Sequence, residues 1–228
     1  MMKKVKPFVF ISTAMSLDGK ISNTKKEQIE ICSNDDYLMR WDDRIECDAI
    51  YIGANQLRLD DPKLNMKLGE RCDAREELGK KREPAKVALV SNLKTIKDLI
   101  NGDFFNTGGK IILFTTKQTT EDDKKFFEEK AEVIFVGEEK IDIVKTISIL
   151  GEKGFEKIMV EGGGEIIASL LENKLLDELH IKVGNRILGG RDSVTLVEGN
   201  GLNIPIDIEF KEVVVEKNYL KLICKPKY

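Results

Sequence analysis

Four short segments of this chain gather residue types that do chemistry, and three of them directly follow a short apolar run. The first is Ala14-Met15-Ser16-Leu17-Asp18-Gly19-Lys20. A lysine behind a tight Asp-Gly turn can present a fixed cation to a phosphate or a hydroxyl; the plain alternative is an ordinary turn. The second, Gly53-Ala54-Asn55-Gln56-Leu57-Arg58-Leu59-Asp60-Asp61-Pro62, sets two adjacent carboxylates before a proline. They either serve a ligand or simply end a short helix. The third is Val160-Glu161-Gly162-Gly163-Gly164-Glu165. Glycines between a strand and a helix let the backbone approach a ligand, and the helix start offers N–H donors to phosphate. The spacing is not the GxGxxG fingerprint, and a flexible turn is the alternative. Glu161, at the end of an apolar run, faces whatever occupies the cleft there. The fourth, Gly184-Asn185-Arg186-Ile187-Leu188-Gly189-Gly190, is a second glycine pair or a loop.

The elements that must position these segments can be read from hydrophobic patterning. Phe8–Ile11, Ala49–Ile52, Val87–Val90, Ile111–Phe114, Val133–Val136 and Ile158–Val160 are short, nearly continuous apolar runs, as expected of strands covered on both faces. Helical patterns lie between several of them. Ser33 or Asn34 can cap a helix over Asp35–Glu46, with Leu38, Trp41 and Ile45 on one face; Thr120 opens another; Ile141–Leu150 and Glu165–Leu175 are two more. Strand–helix alternation implies a mostly parallel α/β sheet. The C-terminal part differs: Glu178–Val183 alternates, and Glu209–Glu216 with Tyr219–Lys225 around Lys217-Asn218 reads as an antiparallel hairpin. Lys67–Glu83 is the most polar stretch and reads as a solvated insertion. No linker or repeat interrupts the pattern, so one domain over residues 1–228 is expected.

Composition narrows the classes. Hydrophobic residues at 41% against a net charge of −3 exclude disorder as the main state. The same balance argues against a nucleic-acid binder, which is usually basic, while a small anionic ligand needs only a local cluster of donors. Four dispersed cysteines form no CxxC, and with a single histidine, His180, they assemble no zinc spacing; buried free thiols are expected. The opening stretch looks briefly like a signal peptide, but Pro7 interrupts it and Asp18-Gly19-Lys20 follows at once, so a first strand fits better. No run reaches the ~18 apolar residues of a membrane span, and the expected location is the cytoplasm.

Taken in order, the four segments resemble one family, the pyrimidine reductases of riboflavin biosynthesis, whose fold is similar to dihydrofolate reductase. The resemblance runs from Phe8 to the terminal hairpin. Its most specific parts are Ser16-Leu17-Asp18-Gly19-Lys20, Asp48-Ala49-Ile50 to Gly53, Asp60-Asp61-Pro62-Lys63-Leu64 and Glu161-Gly162-Gly163. The chain looks most like the stand-alone reductase, because the zinc deaminase fused to many relatives needs HxE and PCxxC motifs that are absent here. The implied fold is a dihydrofolate-reductase-like α/β domain, a mostly parallel central sheet flanked by helices with a C-terminal antiparallel hairpin.

The implied reaction converts the ribosylamino group of a diaminopyrimidine or uracil 5′-phosphate to ribitylamino, with NADPH delivering hydride to C1′ and NADH left open. The resemblance gives Lys20 and Glu161 the catalytic positions around the ribose. It places Asp18, Arg44, Leu64 and Lys67 with the substrate. It places Ala14, Gln56, Asp60, Ser91, Gly162, Gly163, Gly164 and Glu165 with the cofactor, and no metal. Lys94 and Lys117 are candidates for the 2′-phosphate. A homodimer is implied, and the apolar C-terminal strands suit one. The chain departs from the pattern at Ile29-Glu30, where relatives carry Ser-Arg, and at Gln56 and Asn65, where they carry threonine. Two other readings share these residues: a dihydrofolate-reductase-like enzyme for another pterin- or nucleotide-like substrate, and a non-catalytic nucleotide-binding module.

Overall fold

In the computed structural model, residues 6–25, 27, 29–32 and 36–228 are described, with the backbone alone for residues 36–39. In chain order the elements are β1 (Phe8–Met15), α1 (Asp36–Glu46), β2 (Ala49–Gly53), α2 (Ala54–Asp60), α3 (Gly69–Glu77) and β3 (Ala85–Leu89). A 3₁₀ segment (Leu93–Asn101), α4 (Asp103–Asn106), β4 (Ile111–Thr115), α5 (Glu121–Glu128), β5 (Glu132–Phe135) and α6 (Ile143–Glu152) follow. The chain ends with β6 (Lys157–Val160), α7 (Gly164–Glu172), β7 (Glu178–Gly184), β8 (Asp207–Val215) and β9 (Tyr219–Lys227). Each expected apolar run is a strand, shifted by no more than two residues at its ends except β1, which runs on to Met15. The caps expected at Ser33 and Asn34 lie outside the described residues, as does the side chain of Leu38.

The chain forms two compact units, one built on Arg44–Met159 and the other on Phe8–Asp43 with Val160–Tyr228. In the first, β2, β3, β4 and β5 pair in parallel in that order. Every residue of β3 and β4 is buried, which is why these runs read as continuous rather than alternating. Asp48 ties the strand starts together. Its N–H donates to Lys157 O at 2.7 Å and its carbonyl accepts from Ala85 N at 2.9 Å. Its carboxylate accepts from the N–H groups of Glu156 and Lys157, each at 2.8 Å, and from Lys80 Nζ at 2.6 Å. Burial pushes this carboxyl up, but Lys80 and the two N–H donors outweigh it and hold it below its usual range. Helix α5 is capped by Thr120, whose hydroxyl accepts from Asp123 N, and α6 by Asp142, which accepts from Lys145 N.

One expectation is corrected here. The polar stretch 67–83 is not merely a solvated insertion, because it contains α3, and Arg75 within it is 1% exposed. The Arg75 guanidinium donates to the carbonyls of Arg44, Ile45 and Cys47, and its Nε to Lys81 O at 2.8 Å. A cation on the last carbonyls of α1 satisfies acceptors that the helix leaves unpaired and complements its dipole. Polar composition concealed a buried cap.

In the second unit, β1 pairs in parallel with β7, β7 antiparallel with β9, and β9 antiparallel with β8. The expected hairpin is the β8–β9 pair, which carries a register shift between Phe210 and Glu212. On β7, His180 lies between two carboxylates, Nδ1 at 2.7 Å from Asp43 Oδ1 and Nε2 at 3.2 Å from Glu178 Oε2. The Phe10 ring packs on it at 4.8 Å. All four cysteines are buried and none forms a disulfide. No helix among the described residues is long and apolar enough to cross a membrane.

Candidate active site

In the second unit the site residues sit at two backbone turns. Past the end of β1, Ser16 Oγ donates to Asp18 Oδ1 at 2.6 Å and accepts from Lys20 N at 3.0 Å, while Gly19 adopts φ +77° to close the turn. The Asp18 carboxylate also accepts from Leu188 N at 3.0 Å and Gly189 N at 2.8 Å. These donors, with Ser16 first, stabilise the ionised form and hold its pKa at about 2. Asp18 therefore fastens the Gly184–Gly190 loop to the turn. Lys20 is fixed on its other side, where it bridges Thr195 and is flanked by Ile21 N to Val194 O at 2.8 Å and Leu196 N to Gly19 O at 3.2 Å. Its backbone is thus held from two directions. Among the described residues, its ammonium carries no ion pair.

The second turn follows β6. Glu161 is half-buried, and Gly162 and Gly163 take φ +122° and +91°, backbone conformations that only glycine adopts at low cost. Gly163 precedes α7 with no side-chain cap, so the first-turn N–H groups point out of the helix without an internal acceptor. A Cβ on Gly162 would meet nothing within 4 Å. Gly164 differs: a Cβ there would lie 2.5 Å from Glu198 Cγ and 2.6 Å from Thr195 O. It serves the close approach of the 195–198 segment, whose Glu198 N donates to Gly164 O at 3.2 Å. Ala14, near the end of β1, stands opposite Lys182 in the β1–β7 register and packs with Ile31, Cys32, Ile29 and Leu188. Arg186 of the fourth segment donates to the carbonyl of Glu30 and approaches its carboxylate at 3.5 Å.

In the first unit, Arg44 is buried at the end of α1, and its Nη1 donates to Asn65 O at 3.1 Å. Gln56 lies on α2 and Asp60 is the last residue of that helix. Asp61 follows at φ +38° as its cap, so the paired carboxylates do end a helix. They then separate in role, because Asp61 accepts from Asp103 N at 2.7 Å and Phe104 N at 2.9 Å. Leu64 is buried with φ +47°, and Lys67 is exposed with φ +60°. Ser91 lies just beyond β3, its carbonyl gripped by the hydroxyls of Thr115 at 3.2 Å and Thr116 at 2.8 Å, its own hydroxyl unspent among the described residues. Of the two lysines considered for a 2′-phosphate, Lys117 pairs with Glu138 at 2.7 Å, whereas Lys94 is exposed.

Several residues that shape these segments were missed in the sequence. Ser16, Leu188 and Gly189 hold Asp18, Thr195 holds Lys20, and Arg75 fixes the α1 end that carries Arg44. Ser16 alone had a local signal, two residues before an Asp-Gly turn. The others act across long stretches of chain, from 31 residues for Arg75 and Arg44 to 171 for Gly189 and Asp18 and further still for Thr195 and Lys20.

Known proteins resemble this chain over most of its length. The 2,5-diamino-6-ribosylamino-4(3H)-pyrimidinone 5′-phosphate reductase of Archaeoglobus fulgidus is 33% identical over 195 residues, covering 86% of this chain and 88% of the relative. The enzyme of the same name from Methanothermobacter thermautotrophicus is 30% identical over 199 residues, covering 87% of each. In structure, the chain is similar to a pyrimidine reductase-like protein from Corynebacterium diphtheriae, with a TM-score of 0.83 at 15% identity over 100% of this chain and 95% of the other. Dihydrofolate reductase from Enterococcus faecalis, complexed with NADP(H), matches with a TM-score of 0.54 at 10% identity over 98% of each chain. The fold is therefore the dihydrofolate-reductase-like α/β architecture expected from the sequence. The RibD C-terminal domain family matches residues 7–221, nearly the whole chain, and the chain belongs to that family.

Proposed function

We propose that this protein is an NADPH-dependent reductase of riboflavin biosynthesis, reducing the ribosylamino group of a pyrimidine 5′-phosphate to ribitylamino. The observation that carries the reading is that a family match over nearly the whole chain coincides with a doubly fastened Lys20, whose ammonium has no ion pair among the described residues, and with an uncapped glycine turn beside Glu161. The glycine turn fits a dinucleotide. Gly162 leaves open space where any side chain would stand, and the α7 start offers unpaired N–H groups and a positive dipole end to a pyrophosphate. Gly162, Gly163 and Glu165 would hold the cofactor there, with Ala14 beside the nicotinamide and Gln56, Asp60 and Ser91 as further contacts. When bound, the cofactor supplies the hydride that adds at C1′.

The chain's own residues do the rest. Lys20 stabilises the negative charge that develops on the sugar oxygen as the ribose ring opens. Glu161 orients the ribose and exchanges a proton at the reacting centre. Arg44, Leu64 and Lys67 bind the substrate, and Asp18 acts through Lys20 by holding its turn. Gly164 both packs the helix start against Thr195 and Glu198, where a side chain would not fit, and offers its N–H to the cofactor with those of its neighbours. The protein works in the cytoplasm as a homodimer. Ile208, Phe210, Val213 and Val215 of β8 are all exposed, and a second copy would cover them.

The test is NADPH oxidation with the diaminopyrimidine and the deaminated phosphates in parallel, each repeated with NADH. Oxidation by neither substrate would overturn the proposed reaction. Sedimentation velocity on the same preparation, with Phe210→Asp as control, checks the dimer.

A further inference from the structure

Lys86 is fully buried on β3, and its ammonium donates to three oxygens: Phe104 O at 2.7 Å, Thr107 O at 2.5 Å and Thr107 Oγ1 at 2.8 Å. Three carboxylates act on its charge, Asp61 after α2, Glu83 before β3 and Asp103 on α4. Each is engaged elsewhere. Asp61 accepts from Asp103 N and Phe104 N, Glu83 from Met66 N at 2.8 Å, and Asp103 pairs with Lys63 Nζ at 3.7 Å. Burial therefore prevails over them and holds the ammonium down to about 8.

Thr107 Oγ1 is the joint between Lys86 and the 63–67 segment. Its hydroxyl lies within hydrogen-bond reach of two carbonyls, Lys63 O at 2.9 Å and Asp103 O at 2.7 Å. A hydroxyl gives one proton and receives on its lone pairs. While Lys86 is charged, Oγ1 accepts from Nζ, and its own proton goes to those carbonyls. A neutral amine has two N–H groups and one lone pair. Phe104 O and Thr107 O can only accept, so they take the two N–H groups. The lone pair is then met by the Thr107 hydroxyl, which must turn to donate to Nζ. Loss of the Lys86 proton to solvent thus takes the donor from Lys63 O. The next residue, Leu64, holds φ +47°, a conformation that leucine does not favour and that persists only where its surroundings hold it.

We propose that the protonation of Lys86 decides whether Thr107 holds Lys63 O, which makes Lys86 and Thr107 positioning residues for the segment that carries Leu64 and Lys67. The inference rests on the reductase reading above, in which those two residues bind the substrate. With Lys86 charged, the substrate meets a segment already ordered; with Lys86 neutral, it must order that segment on binding.

The test follows the Lys63 carbonyl ¹³C shift by NMR and the Kd of the ribosylamino-diaminopyrimidine phosphate by calorimetry, from about pH 7 to about pH 9.5. In wild type the carbonyl shift should step with a midpoint of about 8. The Kd should rise with it by about 2–10-fold, the net worth of one hydrogen bond. Thr107→Val should show neither step and should carry the weaker Kd throughout, while Thr107→Ser, which keeps the hydroxyl, should restore both. Thr107→Ala replaces the valine variant, with the same criteria, if that does not fold. A Lys63 carbonyl that stays put while Lys86 titrates overturns the proposal, as does a Kd step that persists in Thr107→Val, a flat Kd in wild type or no binding of the phosphate. Failure of the reductase reading shows separately: if both steps appear and NADPH is not oxidised, the positioning role stands and the proposed reaction falls.

Discussion

Asp61 and Lys86 hold opposite ends of one short helix. The Asp61 carboxylate accepts from Asp103 N and Phe104 N at the start of α4, and Lys86 Nζ donates to Phe104 O at 2.7 Å, Thr107 O at 2.5 Å and Thr107 Oγ1 at 2.8 Å at its end. An anion at the first turn and a cation at the last match the helix dipole. Burial of Lys86 holds its ammonium down to about 8, with Glu83, Asp61 and Asp103 acting against the shift. A four-residue helix does not nucleate on its own; these two side chains define it.

The adjacent carboxylates Asp60 and Asp61 should therefore separate under mutation. Asp61→Ala removes the cap of α4 and should cost about 1–2 kcal/mol of stability, with the NADPH dissociation constant unchanged in the protein that remains folded. Asp60→Ala should do the reverse, weakening NADPH and leaving the melting temperature nearly as it was. Chemical denaturation and titration calorimetry on both variants check the crossing, and a matched pair of effects would mean the two residues share one role.

The contrast explains what the sequence could and could not reveal. The strands, the β8–β9 hairpin, α5 to α7 and the glycine turn after β6 were legible, because each is coded by a run, a period or a cap within about a dozen residues. Helices α3 and α4 and the 3₁₀ segment were not. The cap of α4 comes from afar, with Asp61 lying 42 residues from Asp103, and α3 is held by its Arg75 capping an α1 carbonyl 31 residues away. The 3₁₀ segment has a local cap at Asn92, but a non-helical break at Ile96 interrupts its period. The same holds within the site. The residue types at Lys20, Glu161 and Gly162–Gly164 carried the proposed chemistry, but only the folded chain separates Gly162, which opens onto space, from Gly164, which packs against Glu198.

That separation makes a second prediction. Gly164→Ala should destabilise the fold by about 1–3 kcal/mol, because its Cβ would collide with Thr195 O and Glu198 Cγ. Gly162→Ala meets no protein atom. It should cost about 1–2 kcal/mol for the left-handed backbone and should also raise the NADPH Kd by about 10-fold or more, equivalent to roughly 1.4 kcal/mol, as the methyl enters the cofactor's approach. Thermal melts and NADPH titrations on the pair decide the matter. An unchanged Kd in folded Gly162→Ala would place the pyrophosphate elsewhere.

His180 gives the protein a pH-dependent stability. Burial lowers its pKa, but the hydrogen bond and charge of Asp43, reinforced by Glu178, outweigh burial and raise it above the ordinary 6.5. The folded state then binds the proton more tightly than the unfolded state. The His180 contribution is fully present below about pH 6.5 and is lost as pH rises through the higher folded value. Lys86 acts with the opposite sign at higher pH: its folded pKa of about 8 lies below the unfolded ~10.4, so its part of the stability grows as pH rises across that window. His180→Asn should remove the decline above about pH 6.5 while lowering stability at pH 6 by about 3 kcal/mol, since the buried Asp43 and the half-buried Glu178 lose their cation. Melting curves of wild type and variant from about pH 5.5 to about pH 9 test this, and parallel profiles would mean that His180 stays neutral.

The last prediction concerns Lys20 and Glu161, which the fold treats differently. Lys20 sits on a turn fastened by Ser16, Asp18 and Thr195 through its backbone, so its side chain can change without disturbing those contacts. Lys20→Met should shift stability by no more than about 0.5 kcal/mol while turnover at saturating substrate falls severely. Glu161 leads into a turn whose left-handed glycines it could simply be holding, so loss of activity alone would not show that it meets the substrate. Glu161→Gln keeps the size and most hydrogen bonds but cannot take up a proton. If Glu161 exchanges a proton at the ribose, turnover should fall about 10²–10⁴-fold with NADPH affinity and melting temperature nearly constant. If it only holds the turn, affinity and melting temperature should fall together, and turnover per folded, cofactor-loaded enzyme should persist. The pH profile of kcat separates the two further, because an acid–base role loses one ionisation in Glu161→Gln and a structural role keeps it.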